Sequence, residues 1–478
     1  MLFTRRNLLM LCLALLFAGL VPCLSAQTAP TQPAPSLQPA PAPSQPASTQ
    51  AYSLPPDKLA KAVTLGHIST ALGIIGSLWG IAVLWLLLSS RWAAGLAAWA
   101  ESVSRRRWLQ GLLFFAVFLV ITTLAGLPLD AIGHMVSRHY GISVQGWGSW
   151  LEDLGKGLCL SVLFGAPVLL LFNWLVRTYP RSYWGRIWLF TLPLIVLSVF
   201  ASPLLDPIFN KFEPLTKTHS ALVAKLETVV ARTGTHIAPD RMFLMKASAK
   251  SNGLNAYVTG IGATKRFVMW DTATDRLPDD EVLFIFGHES GHYVLNHIPK
   301  MLVGISIGMF FVYWACAAFA AWLVARFGVR WGLFTPELLG DPQPGAPSIA
   351  PFAMGGSDGS MPPQSPNPLS TRAGFVVIVL AINIAGFVLE PVSNTFSRHF
   401  EHQADVYGQE AIHGLVPDPQ KTAVAGFQAL GEAWLEDPDP SPLIEFWEYN
   451  HPSVKTRANF AAHYNPWING GHGEFFDK

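Results

Sequence analysis

PDDEVLFIFGHESGHYVLNHIPKMLVGISIGMFFVYWACAAFAAWLVA, residues 278–325, holds two kinds of helix back to back. Pro278 opens the first, with Asp279, Asp280 and Glu281 in the opening turn, where the helix dipole favours negative charge. That helix carries Val282 to Asn296. From Met301 to Ala325 no residue is charged, and the run has the roughly 20 apolar residues that a helix needs to cross a bilayer. Five more such stretches flank it, at about 67–90, 108–128, 157–176, 187–205 and 373–391. One could be a buried helix of a large soluble protein; six, nearly free of charge, read as a polytopic membrane protein. Composition agrees: 51% of the 478 residues are hydrophobic and 13% are charged, against about 25% charged in soluble domains.

Outward from this core the chain divides readily. Arg5 and Arg6, the apolar run Leu8–Leu24 and Ser25-Ala26 have the order of a secretory signal, so residues 1–26 are read as a signal peptide or an uncleaved signal anchor. Residues 27–60 begin with a Pro-, Gln- and Ala-rich segment and are expected to be a disordered linker. Residues 61–205 hold four spans, 301–326 the fifth and 372–396 the sixth, with a Pro-, Gly- and Ser-rich loop at 327–371. Arg91, Arg105, Arg106 and Arg107 follow the first span, Arg177, Arg181 and Arg186 the third, and Arg326 and Arg330 the fifth. The positive-inside rule puts those loops in the cytoplasm and residues 206–300 and 397–478 on the opposite, periplasmic face of a bacterial inner membrane. The net charge of +1 gives no electrostatic case for nucleic acid. Cys12, Cys23, Cys159 and Cys316 all lie in apolar stretches without ligand spacing, so they read as packing residues.

Residues 206–300 are different in kind. Ser220–Ala231 has helical spacing, and Arg241–Lys246, Asn255–Thr259 and Arg266–Trp270 read as short strands, the last two as a hairpin. The expected fold is therefore mainly α: a helical membrane protein with a small α+β domain that carries the histidine-bearing helix.

His288-Glu289-Ser290-Gly291-His292 sits in that helix. Histidines four apart share a face and can address one ion, and Glu289, one step round, can take a proton from an attacking water. Gly291 is read as leaving room on the ligand face. A satisfied helical histidine pair is the plainer alternative. A catalytic zinc needs a third protein ligand. The candidates lie in Ser397-Arg398-His399-Phe400-Glu401-His402-Gln403-Ala404-Asp405, where Glu401 and Asp405 share a helix face and His399 and His402 are rivals on spacing. A charged helix end leaving the membrane would look similar. His297 reads as packing behind the site. His451 and Arg457 can donate to a developing oxyanion, or can cap a helix end or pair with Glu445 or Glu448. The many tryptophans read as interface anchors.

Taken together, Asp206-Pro-Ile-Phe-Asn-Lys-Phe-Glu-Pro-Leu215, Asn255-Ala-Tyr257, Gly287-His-Glu-Ser-Gly-His292 with His297, Ser397-Arg-x-x-Glu-x-x-Ala-Asp405 and His451-Pro452 resemble the type I CAAX prenyl endopeptidases, membrane gluzincins related to the HtpX-type quality-control proteases. The resemblance runs from about residue 67 to 465. It implies one zinc per chain on His288, His292 and Glu401, Glu289 as general base, a supporting or proton-donating Asp405, and an edge strand at Asn255, Ala256 and Tyr257 that takes substrate by strand addition. With it go a catalytic role for His451 and places behind the ligands for His297 and Arg398. That family has one more span than the four counted before residue 206, and it holds its zinc domain in the cytosol, against the arginine pattern. The expected function is zinc endoproteolysis of peptides or membrane-associated proteins, by a CAAX protease-like or a quality-control enzyme whose partners are its peptide or protein substrate and the lipid bilayer. A non-catalytic helical transporter or scaffold with a vestigial metal site is the rival of another class.

Overall fold

The computed structural model describes residues 51–260, 262–334 and 367–476. The signal or anchor at 1–26, the linker up to residue 50 and most of the 327–371 loop lie outside them.

Six helices among the described residues are long and apolar enough to cross a membrane: α1 (Pro56–Ser89), α3 (Arg107–His139), α4 (Trp147–Thr178), α5 (Tyr183–Phe209), α8 (His297–Phe327) and α9 (Arg372–Ile412). Their outer faces carry bare Leu86, Leu124, Leu163, Leu204 and Val303, which only a lipid solvent makes inexpensive. Proline interrupts α3, α4, α5 and α9, as bundled membrane helices tolerate. Their inner faces meet in a core built on Phe114, Phe115, Phe118, Phe172 and Phe375. A short α2 (Trp92–Val103), with Trp92 and Trp99 exposed, lies in what had read as an arginine-rich loop.

A second core forms the extramembrane domain, around Leu226, Phe267, Phe284, Phe286, Tyr407 and Phe427. Here α6 (Ser220–Thr233) and α7 (Asp279–Val294) pack with a four-stranded sheet of order β1-β2-β4-β3. β2 (Met242–Met245) and β4 (Arg266–Trp270) are parallel, whereas β1 (Phe212–Pro214) and β3 (Ala256–Thr259) flank them antiparallel. The expected hairpin of β3 and β4 is present. β1 carries no alternating pattern of its own and was not expected; it becomes a strand only because β2 pairs with it. At the junction, buried Asp206 at the end of α5 accepts from Arg266 at 2.7 Å and from the Tyr257 hydroxyl at 3.3 Å, so the first residue of β4 and the second of β3 are tied to the end of the fourth span.

The linker boundary needs correction. Helix α1 starts at Pro56, and Tyr52 is fully buried, donating to the Glu436 carbonyl at 2.9 Å. The Ala51 and Ser53 N–H groups donate to Asn459 and Gln428, so side chains far along the chain hold a segment that composition alone does not order.

Helix α9 joins the two cores. Its 41 residues span about 60 Å. Phe375 to Leu380 pack inside the membrane bundle, whereas Tyr407 to Ile412 pack in the extramembrane core. The chain closes with α10 (Pro419–Trp434), α11 (Pro442–Glu448) and α12 (Val454–His463).

Candidate active site

The site forms where α7 crosses α9. The crossing is close because it is lined with glycine. A β-carbon on Gly287 would lie 3.0 Å from the Gly408 carbonyl oxygen, one on Gly291 2.9 Å from the Tyr407 β-carbon, and one on Gly408 2.8 Å from the His288 backbone nitrogen. Gly291 thus makes room for α9 and not for the ligand face, which corrects the sequence reading.

Across this crossing, His288 Nε2 lies 3.2 Å from His292 Nε2 and 3.4 Å from Glu401 Oε2, and His292 Nε2 lies 3.5 Å from Glu401 Oε1. One ligand atom from each of the three residues falls within 4.8 Å of the others. Glu401 Oε2 is buried and receives no hydrogen bond among the described residues. Two ring nitrogens and a carboxylate converging with too few protons between them are poorly accounted for by hydrogen bonding. A divalent cation accounts for them, and two imidazoles with one carboxylate form a donor set of catalytic zinc. His399 and His402 are exposed and turn elsewhere; the His402 ring packs on Phe460.

Around these atoms the supporting groups are ordered. His288 Nδ1 lies 2.9 Å from Asp405 Oδ1. Asp405 in turn is gripped by Arg457, whose Nε and guanidinium nitrogen donate at 2.9 and 2.6 Å. Burial alone would lower the His288 imidazole; the carboxylates of Asp405 and Glu401 oppose it and raise its affinity for positive charge, proton or metal. His297, buried, meets His292 Nδ1 at 3.1 Å and Gln403 Oε1 at 3.0 Å. Burial raises the Glu289 carboxyl above its ordinary range, against the opposing pull of His288 and His292, and the Val258 N–H donates to it. His451 Nε2 reaches Glu401 Oε2 at 3.3 Å, while Glu445 accepts instead from the Ser453 N–H. Arg398, expected behind the ligands, touches none of them: it donates to the carbonyls of Glu445 and Tyr449 at 3.0 and 2.5 Å and so anchors the segment that leads to His451.

The edge strand also differs in detail. Asn255 gives its carbonyl to the Trp270 N–H at 3.1 Å, and Tyr257 sends its side chain to Asp206. By the alternation of an antiparallel pair, the main-chain groups left on the open side of β3 belong to Ala256 and Val258. Gln403 and the Arg457 grip on Asp405 were not read from sequence. The only available signal for Gln403 was its place two residues after Glu401.

A His-His-Glu cluster of two buried residues and one half-buried, with a second glutamate beside it, on a helix that leads into one membrane span and a helix that continues another, defines a membrane metallopeptidase. Residues 217–465 match the model of Peptidase family M48, and residues 41–211 match that of the CAAX prenyl protease N-terminal region of five membrane helices. The chain belongs to peptidase family M48. It is 31% identical over 410 residues to the uncharacterized metalloprotease YhfN of Bacillus subtilis, covering 85% of this chain and 86% of that one. It is 24% identical over 351 residues to CAAX prenyl protease 1 of Saccharomyces cerevisiae, covering 73% and 71%. The crystal structure of Ste24p from S. mikatae superposes with a TM-score of 0.65 at 21% identity, over 85% of this chain and 88% of that one, and shares the fold.

Proposed function

We propose that this protein is an integral-membrane zinc endopeptidase, with one zinc per chain held by His288, His292 and Glu401, that cleaves peptides or membrane-associated proteins. The convergence of those three ligands with Glu289 at the α7–α9 crossing carries the reading. When bound, zinc polarises the scissile carbonyl and lowers the pKa of water to ~7. Glu289 takes the proton of the attacking water and passes it to the leaving amine; its raised affinity for protons suits that shuttle. Asp405, fixed by Arg457, orients His288. His451 stands where it can donate to the carbonyl oxygen as charge develops there. The substrate lies extended against the open edge of β3, bonded to the main-chain groups of Ala256 and the Val258 carbonyl, with its scissile bond brought towards Glu289, which the Val258 N–H faces.

The arginine-rich loops favour a bacterial inner membrane with the zinc domain on the outer face. CAAX prenyl protease 1 is a relative by name, yet a substrate met on that face need not be prenylated, so a quality-control role fits the same chemistry. The test is zinc stoichiometry by elemental analysis together with cleavage of a peptide library by the purified protein and by Glu289→Gln, followed by proteomic comparison of membranes that carry each. One zinc and Glu289-dependent cleavage are expected. Metal-free protein without peptidase activity refutes the reading and favours a scaffold.

A further inference from the structure

We propose that Gln403 sets the proton position on His297, and thereby the tautomer in which His292 offers a ring nitrogen to the metal. The inference rests on the metal reading above.

The His292 ring uses both nitrogens. Nε2 faces His288 Nε2 at 3.2 Å and Glu401 at 3.5 Å, while Nδ1 lies 3.1 Å from His297 Nδ1. Two imidazole nitrogens at that distance share one proton. If His297 owns it, His292 Nδ1 accepts, the His292 proton moves to Nε2, and no lone pair is left for a cation. If His292 owns it, Nε2 is free to ligate. A neutral imidazole has one donor and one acceptor nitrogen, so the choice is made at the far side of His297. There Nε2 lies 3.0 Å from Gln403 Oε1. An amide oxygen only accepts, so His297 Nε2 carries the hydrogen and its Nδ1 presents the lone pair. His292 must then donate from Nδ1 and face the cluster with a bare Nε2.

His297 is 1% exposed, so water is not at hand to replace either partner, and Phe400 packs against its ring at 4.8 Å. A reversed amide would run the chain backwards and end in a histidine pair that excludes metal. The relay crosses three elements, from α9 through α8 to α7. Helix α9 therefore supplies both a carboxylate ligand, Glu401, and the group that prepares an imidazole ligand. His288 is prepared differently, by the carboxylate of Asp405 at 2.9 Å. In each case the outer partner is an acceptor, which is what a ligating imidazole needs.

The experiment measures zinc affinity of the full-length, detergent-solubilised protein by chelator competition, with the absorption spectrum of the cobalt-substituted form as a second readout. Gln403→Glu keeps an acceptor and should bind zinc within a few-fold of wild type. Gln403→Met is of similar size but accepts poorly, and should bind about 10- to 100-fold more weakly, the loss typical of a missing outer partner. Gln403→Asn, which draws the oxygen back by one methylene, gives the same reading should the methionine variant fail to fold. Wild-type affinity in Gln403→Met or Gln403→Asn overturns the relay, as does equal loss in Gln403→Glu, which would make the position one of packing. Wild-type protein that binds no zinc at all refutes instead the metal reading on which the relay stands.

Discussion

Replacing Gly408 by alanine tests whether the α7–α9 crossing builds the site. The new β-carbon would lie 2.8 Å from the His288 backbone nitrogen and 3.0 Å from its α-carbon, about 0.6 Å short of the 3.4 Å at which ordinary contact begins. Backbone cannot rotate away, so the helices must part. Overpacking of this kind costs ~1–3 kcal/mol. Alanine in a helix interior returns about 1 kcal/mol through propensity, so the net loss of stability is small, at most about 2 kcal/mol. Metal binding is less forgiving. Ligand distances hold to about 0.2 Å, and Glu401 and Asp405 ride on the helix that is pushed away from His288. Gly408→Ala should therefore remain folded in detergent but bind zinc at least ~10-fold more weakly, by analogy with the loss of an outer partner. Gly386→Ala is the control on the same helix: nothing lies within 4 Å of its new β-carbon among the described residues, and zinc affinity should be unchanged. Equal zinc affinity in the two variants, measured by chelator competition, would refute the claim that glycine at the crossing sets the ligand distances.

Glu289→Gln should keep its zinc, since both imidazoles and Glu401 remain, yet lose at least ~10²-fold in peptide turnover; turnover by a zinc-loaded variant would remove Glu289 from the base role. Glu401→Ala should strip the metal while His399→Ala and His402→Ala keep it, because only Glu401 faces the two imidazoles, and elemental analysis separates the outcomes. Arg457→Met leaves Asp405 buried without its two hydrogen bonds, a change that costs ~3–5 kcal/mol, so the variant should lose both stability in detergent and zinc affinity; a stable, fully loaded protein would mean another cation serves Asp405. Lys217→Cys, in a background without the four native cysteines, should react with an impermeant maleimide in intact cells, and labelling only after lysis would put the zinc domain in the cytosol.

Much of this protein was legible in its sequence because the signals are local. A run of about 20 apolar residues has no other stable use in a chain this poor in charge, so the spans could be counted from residues alone. His288 and His292 are four apart on a helix, and helical geometry puts them on one face whatever else the chain does. Strands β3 and β4 announced themselves through a turn between them. What depends on partners far along the chain was not legible. Glu401, His399 and His402 have equal claims by spacing; only the packing of α9 on α7 selects Glu401, through glycines whose value is the space they leave for another helix. Strand β1 exists because β2 pairs with it, and the segment around Tyr52 is held by Glu436, Gln428 and Asn459. Gln403 has no motif of its own, and its consequence for His292 passes through a third side chain from a different helix. Sequence determines what each segment can do by itself, since periodicity and composition act within a few turns. Tertiary structure decided which of those capacities meet, since hydrogen bonds and metal geometry are set over a few ångströms between residues more than a hundred positions apart.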